Sequence, residues 1–167
     1  MIPYRFRAAC MMTGILSVNN ILGIYYLITL LFLLLFAIYD YRHHKIRNTA
    51  LLAFLIWCLI SIPVNIFAEP LTPWYYSLLK SILGFLSGFL ILFCVALITN
   101  GGIGGGDIKL VAVLGIPFGA GGLIAILFLS CGADVMILIT LKHLNRLDEE
   151  HIPFAPYLFA GSLIYLL

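Results

Sequence analysis

Charge is what this chain has least of. Only 10% of its 167 residues are Asp, Glu, Lys or Arg, whereas 63% are hydrophobic. A soluble domain carries about 25% charged residues. A soluble chain of this length also has no core large enough to hide so much apolar side chain. A water-soluble globular domain is therefore excluded. The class implied is all-α, a polytopic membrane bundle, because helices satisfy their own backbone polar groups inside a bilayer. The lipid bilayer is thus an expected partner. Excess charge of one sign is missing as well. The net charge is +2, with no basic block, so nucleic acid is not expected as a partner.

Other absences remove whole chemistries. The four cysteines, Cys10, Cys58, Cys94 and Cys131, form no CxxC pair. They are expected to be small buried hydrophobes rather than disulfides or metal ligands. His43 and His44 are adjacent, so on a helix they point in different directions and make a poor metal site. There is no GxSxG motif, and no serine or cysteine has an evident histidine partner. The stretch "GGIGGGDIK", Gly101–Lys109, resembles a phosphate loop only superficially. A Walker A loop needs lysine after the last glycine, followed by Ser or Thr. Asp107 occupies that place and would repel phosphate. The spacing of a dinucleotide fingerprint is absent too. No metal and no cofactor are expected.

Long apolar runs are what the chain does have. The first, Val18–Tyr39, is too long for the core of a signal peptide and is expected to be a retained span after an N-terminal segment, 1–17. "TALLAFLIWCLISIPVNIF", Thr49–Phe67, would reach about 28 Å as a helix, close to the hydrocarbon thickness. "AEPLTPWYY", Ala68–Tyr76, reads as an interfacial loop. A third span follows over Ser77–Thr99, with Lys80 able to snorkel outward. The block Ile108–Thr140 would be roughly 50 Å long as one helix, too much for one crossing. "PFGAGG", Pro117–Gly122, is the expected break. This gives a short fourth span, Ile108–Gly119, and a fifth, Gly121–Thr140. A sixth, Ile152–Leu167, brings the total to about six transmembrane helices in a single domain, 1–167.

Two polar stretches interrupt this order, near 40–48 and 100–109. Asp40 follows span one and Asp107 follows span three. Two crossings separate them, so both lie at the same membrane face. Arg42, Lys45, Arg47, Lys109, Lys142 and Arg146 share that side, whereas Arg5, Arg7 and Lys80 fall on the other. The positive-inside rule makes the shared face cytoplasmic. A carboxylate beside hydrocarbon is costly. Two at one face can share a proton and act together as base and acid, activating water and protonating a leaving amine, as peptide hydrolysis requires. Gly104 and Gly106 let backbone approach closely beside Asp107. Each acid also has an ordinary structural reading. Asp107 would serve as a helix-start cap, and Asp40 as a solvated loop acid or partner of Arg42. Lys109 is expected to face lipid phosphates or to tune Asp107. Asp134, inside span five, would face the bundle. Asp148, Glu149 and Glu150 are either a solvated loop or a docking patch for a basic substrate segment.

These residues resemble a known family. "GGGD", Gly104–Asp107, matches the GxGD signature of membrane aspartic proteases. "DYRHHKIRN", Asp40–Asn48, resembles the aspartate-led cytoplasmic segment of the type IV prepilin peptidases. "IKLVAVLG" after Asp107, and "IPFAPYLFAG", Ile152–Gly161, resemble their following stretches. Four elements in the right order are specific where GxGD alone is not. The resemblance implies an aspartic endopeptidase with Asp40 and Asp107 as catalytic pair. Its substrates would be prepilin-like leaders with a basic n-region before a hydrophobic helix, cut at the cytoplasmic face of the cell membrane. Arg47 stands where the family often has proline. The chain also lacks the paired-CxxC region of the longer members. It is similar to the short form that serves tight-adherence pili or archaeal preflagellins, so no N-methylation of the product is expected.

Two rivals are weaker. A presenilin or signal-peptide-peptidase type also pairs Tyr39–Asp40 with GxGD and would find its third motif in Pro156–Leu158, but its members are larger. A small cation-coupled transporter would use Asp134 and a glycine-broken helix, yet the two halves of the chain share no repeat.

Overall fold

The apolar runs fold as helices in a computed structural model of the chain. It describes the backbone of residues 4–43, 47–68, 73–99, 104–143 and 154–167, and the side chains of 21–43, 47–66, 73–99, 104–132 and 154–167. The order is α1 (Tyr4–His43), α2 (Asn48–Leu59), α3 (Ser61–Ala68), α4 (Trp74–Ile98), α5 (Gly105–His143) and α6 (Ala155–Leu166), with no strand among the described residues. Among the described residues four stretches are long and apolar enough to cross a membrane: Ile21–His43, Asn48–Ile66, Trp74–Ile98 and Gly105–Gly132. Helix α6 is shorter, at 12 residues. The all-α, multi-pass class expected from composition is thus the one observed.

Three boundaries differ from the sequence expectation, each for a local reason. Helix α1 begins before Val18 and runs on through Asp40 to His43, where Arg42 and His43 in the last turn complement the helix dipole. The second span is two helices. Pro63 has no N–H and its ring crowds the carbonyl four residues back, so the helix is interrupted at Ile60. The Ser61 hydroxyl donates to the Cys58 carbonyl there, at 2.7 Å. Helix α4 starts at Trp74, which puts the aromatic trio Trp74, Tyr75 and Tyr76 in its first turn, all exposed.

Helix α5 is two helical arms joined at a kink. Gly119 alone leaves helical geometry, at φ 70° and ψ 176°. Only glycine adopts such a φ freely. Three contacts show that the two arms fold back on each other. A side chain at Gly88 would meet both Val111 and Leu123. Helix α6 runs antiparallel to the second arm, with Tyr165 against Gly122 and Gly161 against Ile126 and Ser130. Its first residue, Ala155, is bonded to Asp40, whose charge reaches Asp107 at the start of the first arm. Were α5 straight, the position opposite Ala155 would stand on the order of 40 Å from Asp107. The expected break within Pro117–Gly122 is therefore real, and its site is Gly119.

The first arm of α5 is the centre of the bundle. Every residue from Leu110 to Gly119 is buried. The Gly105–Gly132 stretch is mostly buried, whereas the other three spans are mostly exposed on the outside of the bundle. An all-round apolar helix belongs inside. On one side lies α4, whose buried stripe Ser77, Ser81, Gly84, Gly88 is narrow enough for backbones to touch. A Cβ on Gly84 would fall on the Gly115 carbonyl. On another side Tyr26 of α1 stacks on Phe118 at 5.3 Å. Between α1 and α2 an aromatic set fills the interface: Phe36 on Phe54 at 5.5 Å, Phe32 on Trp57 at 6.1 Å and Tyr25 on Trp57 at 5.2 Å. The Trp57 indole N–H donates to Thr29 Oγ1 at 3.0 Å, so its polar handle is satisfied within the apolar layer. Of the thiols among the described side chains, Cys58 is buried as expected, whereas Cys94 and Cys131 lie on the outer surface of the bundle, and these three are free; the side chain of Cys10 lies outside the described residues.

Candidate active site

Asp40 sits on the protein-facing stripe of α1. The buried residues Tyr25, Thr29, Leu33, Phe36, Ala37 and Asp40 recur at helical spacing, so Asp40 is carried inward by the same periodicity that builds the core. It is only 6% exposed. That overturns the reading of Asp40 as a solvated loop acid. Burial on this scale requires a partner, and the partner is the backbone N–H of Ala155, which donates to Oδ2 at 3.2 Å. The sequence spacing held the signal for Asp40's burial; nothing in it pointed to Ala155.

Asp107 is placed by its own helix. It lies in the first turn of α5. The Asp107 and Ile108 N–H groups donate to the Gly104 carbonyl at 3.0 and 3.4 Å. In return the Asp107 carboxylate accepts from the Gly104 N–H. This is the acidic half of a capping box, in which the third helical residue reaches back to the residue before the helix. Asp107 therefore does cap its helix, and the cap aims its carboxyl back across Gly104. A Cβ there would stand 3.1 Å from Oδ2, so glycine leaves the room this fold-back needs.

The two carboxyls, brought by α1 and by the first arm of α5, lie within electrostatic reach of each other at one end of the bundle. Asp40 is buried and Asp107 half-buried. Gly106 is half-buried beside Asp107, whereas Lys109 is exposed. The side chain of Asp134 and the residues Asp148, Glu149 and Glu150 lie outside the described residues. Among the described residues no group of three or more His, Cys, Asp or Glu is arranged to hold a metal. Chemically, two carboxyls that act on each other through their charges at the edge of an apolar bundle can divide the roles of acid and base. That is the arrangement acid–base hydrolysis uses.

The profile of the type IV leader peptidase family matches residues 27–141, a stretch that includes both aspartates. The chain belongs to that family. It is 36% identical over 133 residues to the "Prepilin leader peptidase/N-methyltransferase" of Bacillus subtilis (strain 168). The match covers 79% of this chain and 50% of the relative, so the chain spans about half the length of that curated protein. No solved structure matches it.

Proposed function

We propose that residues 1–167 act as one transmembrane aspartic peptidase domain that cleaves prepilin-like leaders at the cytoplasmic face of the cell membrane. Asp40 and Asp107 are the catalytic pair. One activates water and the other protonates the leaving amine. The observation that carries this reading is the convergence of the two carboxyls, from helices distant in sequence, at the same end of the bundle. Gly104 and Gly106 shape the backbone beside Asp107. Lys109 faces lipid phosphates, and Asp148, Glu149 and Glu150 receive the basic n-region of the leader. The hydrophobic helix of the substrate stays in lipid while its scissile bond reaches the pair. No paired-cysteine motif occurs within these residues, and cleavage is proposed to proceed without N-methylation by them.

The test is cleavage of a prepilin-like leader by the chain in liposomes, beside Asp40→Asn and Asp107→Asn. Cleavage by the native chain alone supports the pair. Equal cleavage by either variant would sink the aspartic mechanism. Transfer of a labelled methyl group to the cleaved product would sink the no-methylation part.

A further inference from the structure

The backbone donors at the start of α6 have unequal fates. Pro156 has no N–H. The N–H groups of Tyr157 and Leu158 both return to the Phe154 carbonyl at 3.2 Å. The N–H of Ala155, the first residue of the helix, has no carbonyl behind it and needs an acceptor from outside. It finds Oδ2 of Asp40, 115 positions away in the chain, in buried surroundings.

Both ends of this contact are held rigidly. Ala155 is 1% exposed, and Leu158 is fully buried one turn later. At Gly161 the helix approaches the backbone of Ile126 and Ser130 so closely that no side chain would fit. The amide is therefore clamped to the second arm of α5, while the carboxyl is fixed on the buried stripe of α1. A backbone N–H only donates, so Oδ2 must present a lone pair to it. An amide also neither takes up nor gives away the proton that the two aspartates would share. A hydroxyl in its place could rotate and compete for that proton.

We propose that the Ala155 N–H is a positioning group for the peptidase reaction: it pins Oδ2 of Asp40 and leaves Oδ1 to address the attacking water. The proposal rests on the aspartic-peptidase reading of the pair.

Replacing Ala155 with lactic acid, by nonsense suppression in cell-free synthesis into lipid nanodiscs, exchanges this one N–H for an ester oxygen and keeps the methyl side chain. The first N–H of a helix serves no bond within the helix; the ester also weakens the Phe154 carbonyl as acceptor for Tyr157 and Leu158, an effect common to every background in which it is made. The expected result is a fall in kcat of about ten- to a hundredfold, the range for losing a hydrogen bond to a charged group, with KM within about twofold. The ester is expected to lower the melting temperature of the native chain by more than that of Asp40→Ala, the difference being the bond to Oδ2. An unchanged kcat in an otherwise active protein would overturn the proposal and leave the peptidase reading standing. So would equal melting shifts in both backgrounds. Failure of the native chain to cut any leader would overturn both together.

Discussion

A methyl group on Gly104 would stand 3.1 Å from Oδ2 of Asp107. The carboxyl folds back over this glycine to accept its N–H, so a side chain there must displace the acid or be displaced by it. Gly104→Ala is expected to lower kcat by about tenfold, since small displacements of a reacting group are amplified in rate. Gly105, the next residue, has nothing within 4 Å of a built Cβ. Gly105→Ala is expected to cleave as the native chain does and to melt slightly higher, by up to about 1 kcal/mol, because alanine is the better helix former. Equal rates for the two variants would remove the steric account of the first glycine in GxGD.

The paired acids predict non-additivity. Asp40→Asn and Asp107→Asn are each expected to lower cleavage by about 10²–10⁴-fold. The double variant should be no slower than the worse single one, because members of one catalytic unit fail together. Asparagine at position 40 keeps a carbonyl oxygen that accepts the Ala155 N–H. Asp40→Asn should therefore remain folded by far-UV circular dichroism and melt near the native temperature. Multiplicative losses in the double variant would mean that the two acids act in separate steps.

The crossing pattern predicts which positions share a side. Tyr41 and Lys109 are both exposed near the two aspartates, whereas Trp74 is exposed in the first turn of α4, at its other end. In a chain with its own cysteines replaced, Tyr41→Cys and Lys109→Cys should react with an impermeant thiol reagent only from the cytoplasmic side. Trp74→Cys should react only from the opposite side. Labelling of positions 41 and 109 from opposite sides would break the convergence on which the functional reading depends.

Much of this was legible in the sequence because lipid imposes simple rules. Scarce charge and long apolar runs give helices, and the crossing count puts Asp40 and Asp107 at one end. The GxGD motif and the aspartate-led loop gave the family. The break within Pro117–Gly122 was legible too, since glycine is needed for positive φ. What was not legible depends on tertiary partners. The alternative of a solvated loop acid for Asp40 rests on the polar residues that follow it, whereas the stripe from Tyr25 through Phe36 turns it inward. The interruption at Ile60 is masked in the hydropathy pattern because Pro63 sits in an otherwise unbroken apolar run. The Ala155 N–H could not be found at all, because a backbone donor leaves no mark in side-chain pattern.

Helices α4 and α5 pack without side chains between them at one pair of glycines. Gly84 of α4 and Gly115 of α5 meet backbone to backbone, and a Cβ on either would overlap the other's carbonyl group. No flexible side chain stands there to yield, so the helices themselves must separate. Gly84→Ala is expected to destabilise the bundle by about 1–3 kcal/mol, the usual cost of overpacking, measured by reversible unfolding in mixed micelles. Gly23 on α1 has open space around it, and Gly23→Ala is the matched control, expected to be neutral or mildly stabilising. The consequence should reach the site, because the arm of α5 that Gly84 supports is the one that carries Asp107. Cleavage by Gly84→Ala should therefore fall under conditions where the variant is still fully folded. A variant as stable and as active as the native chain would show that α4 does not hold that arm in place.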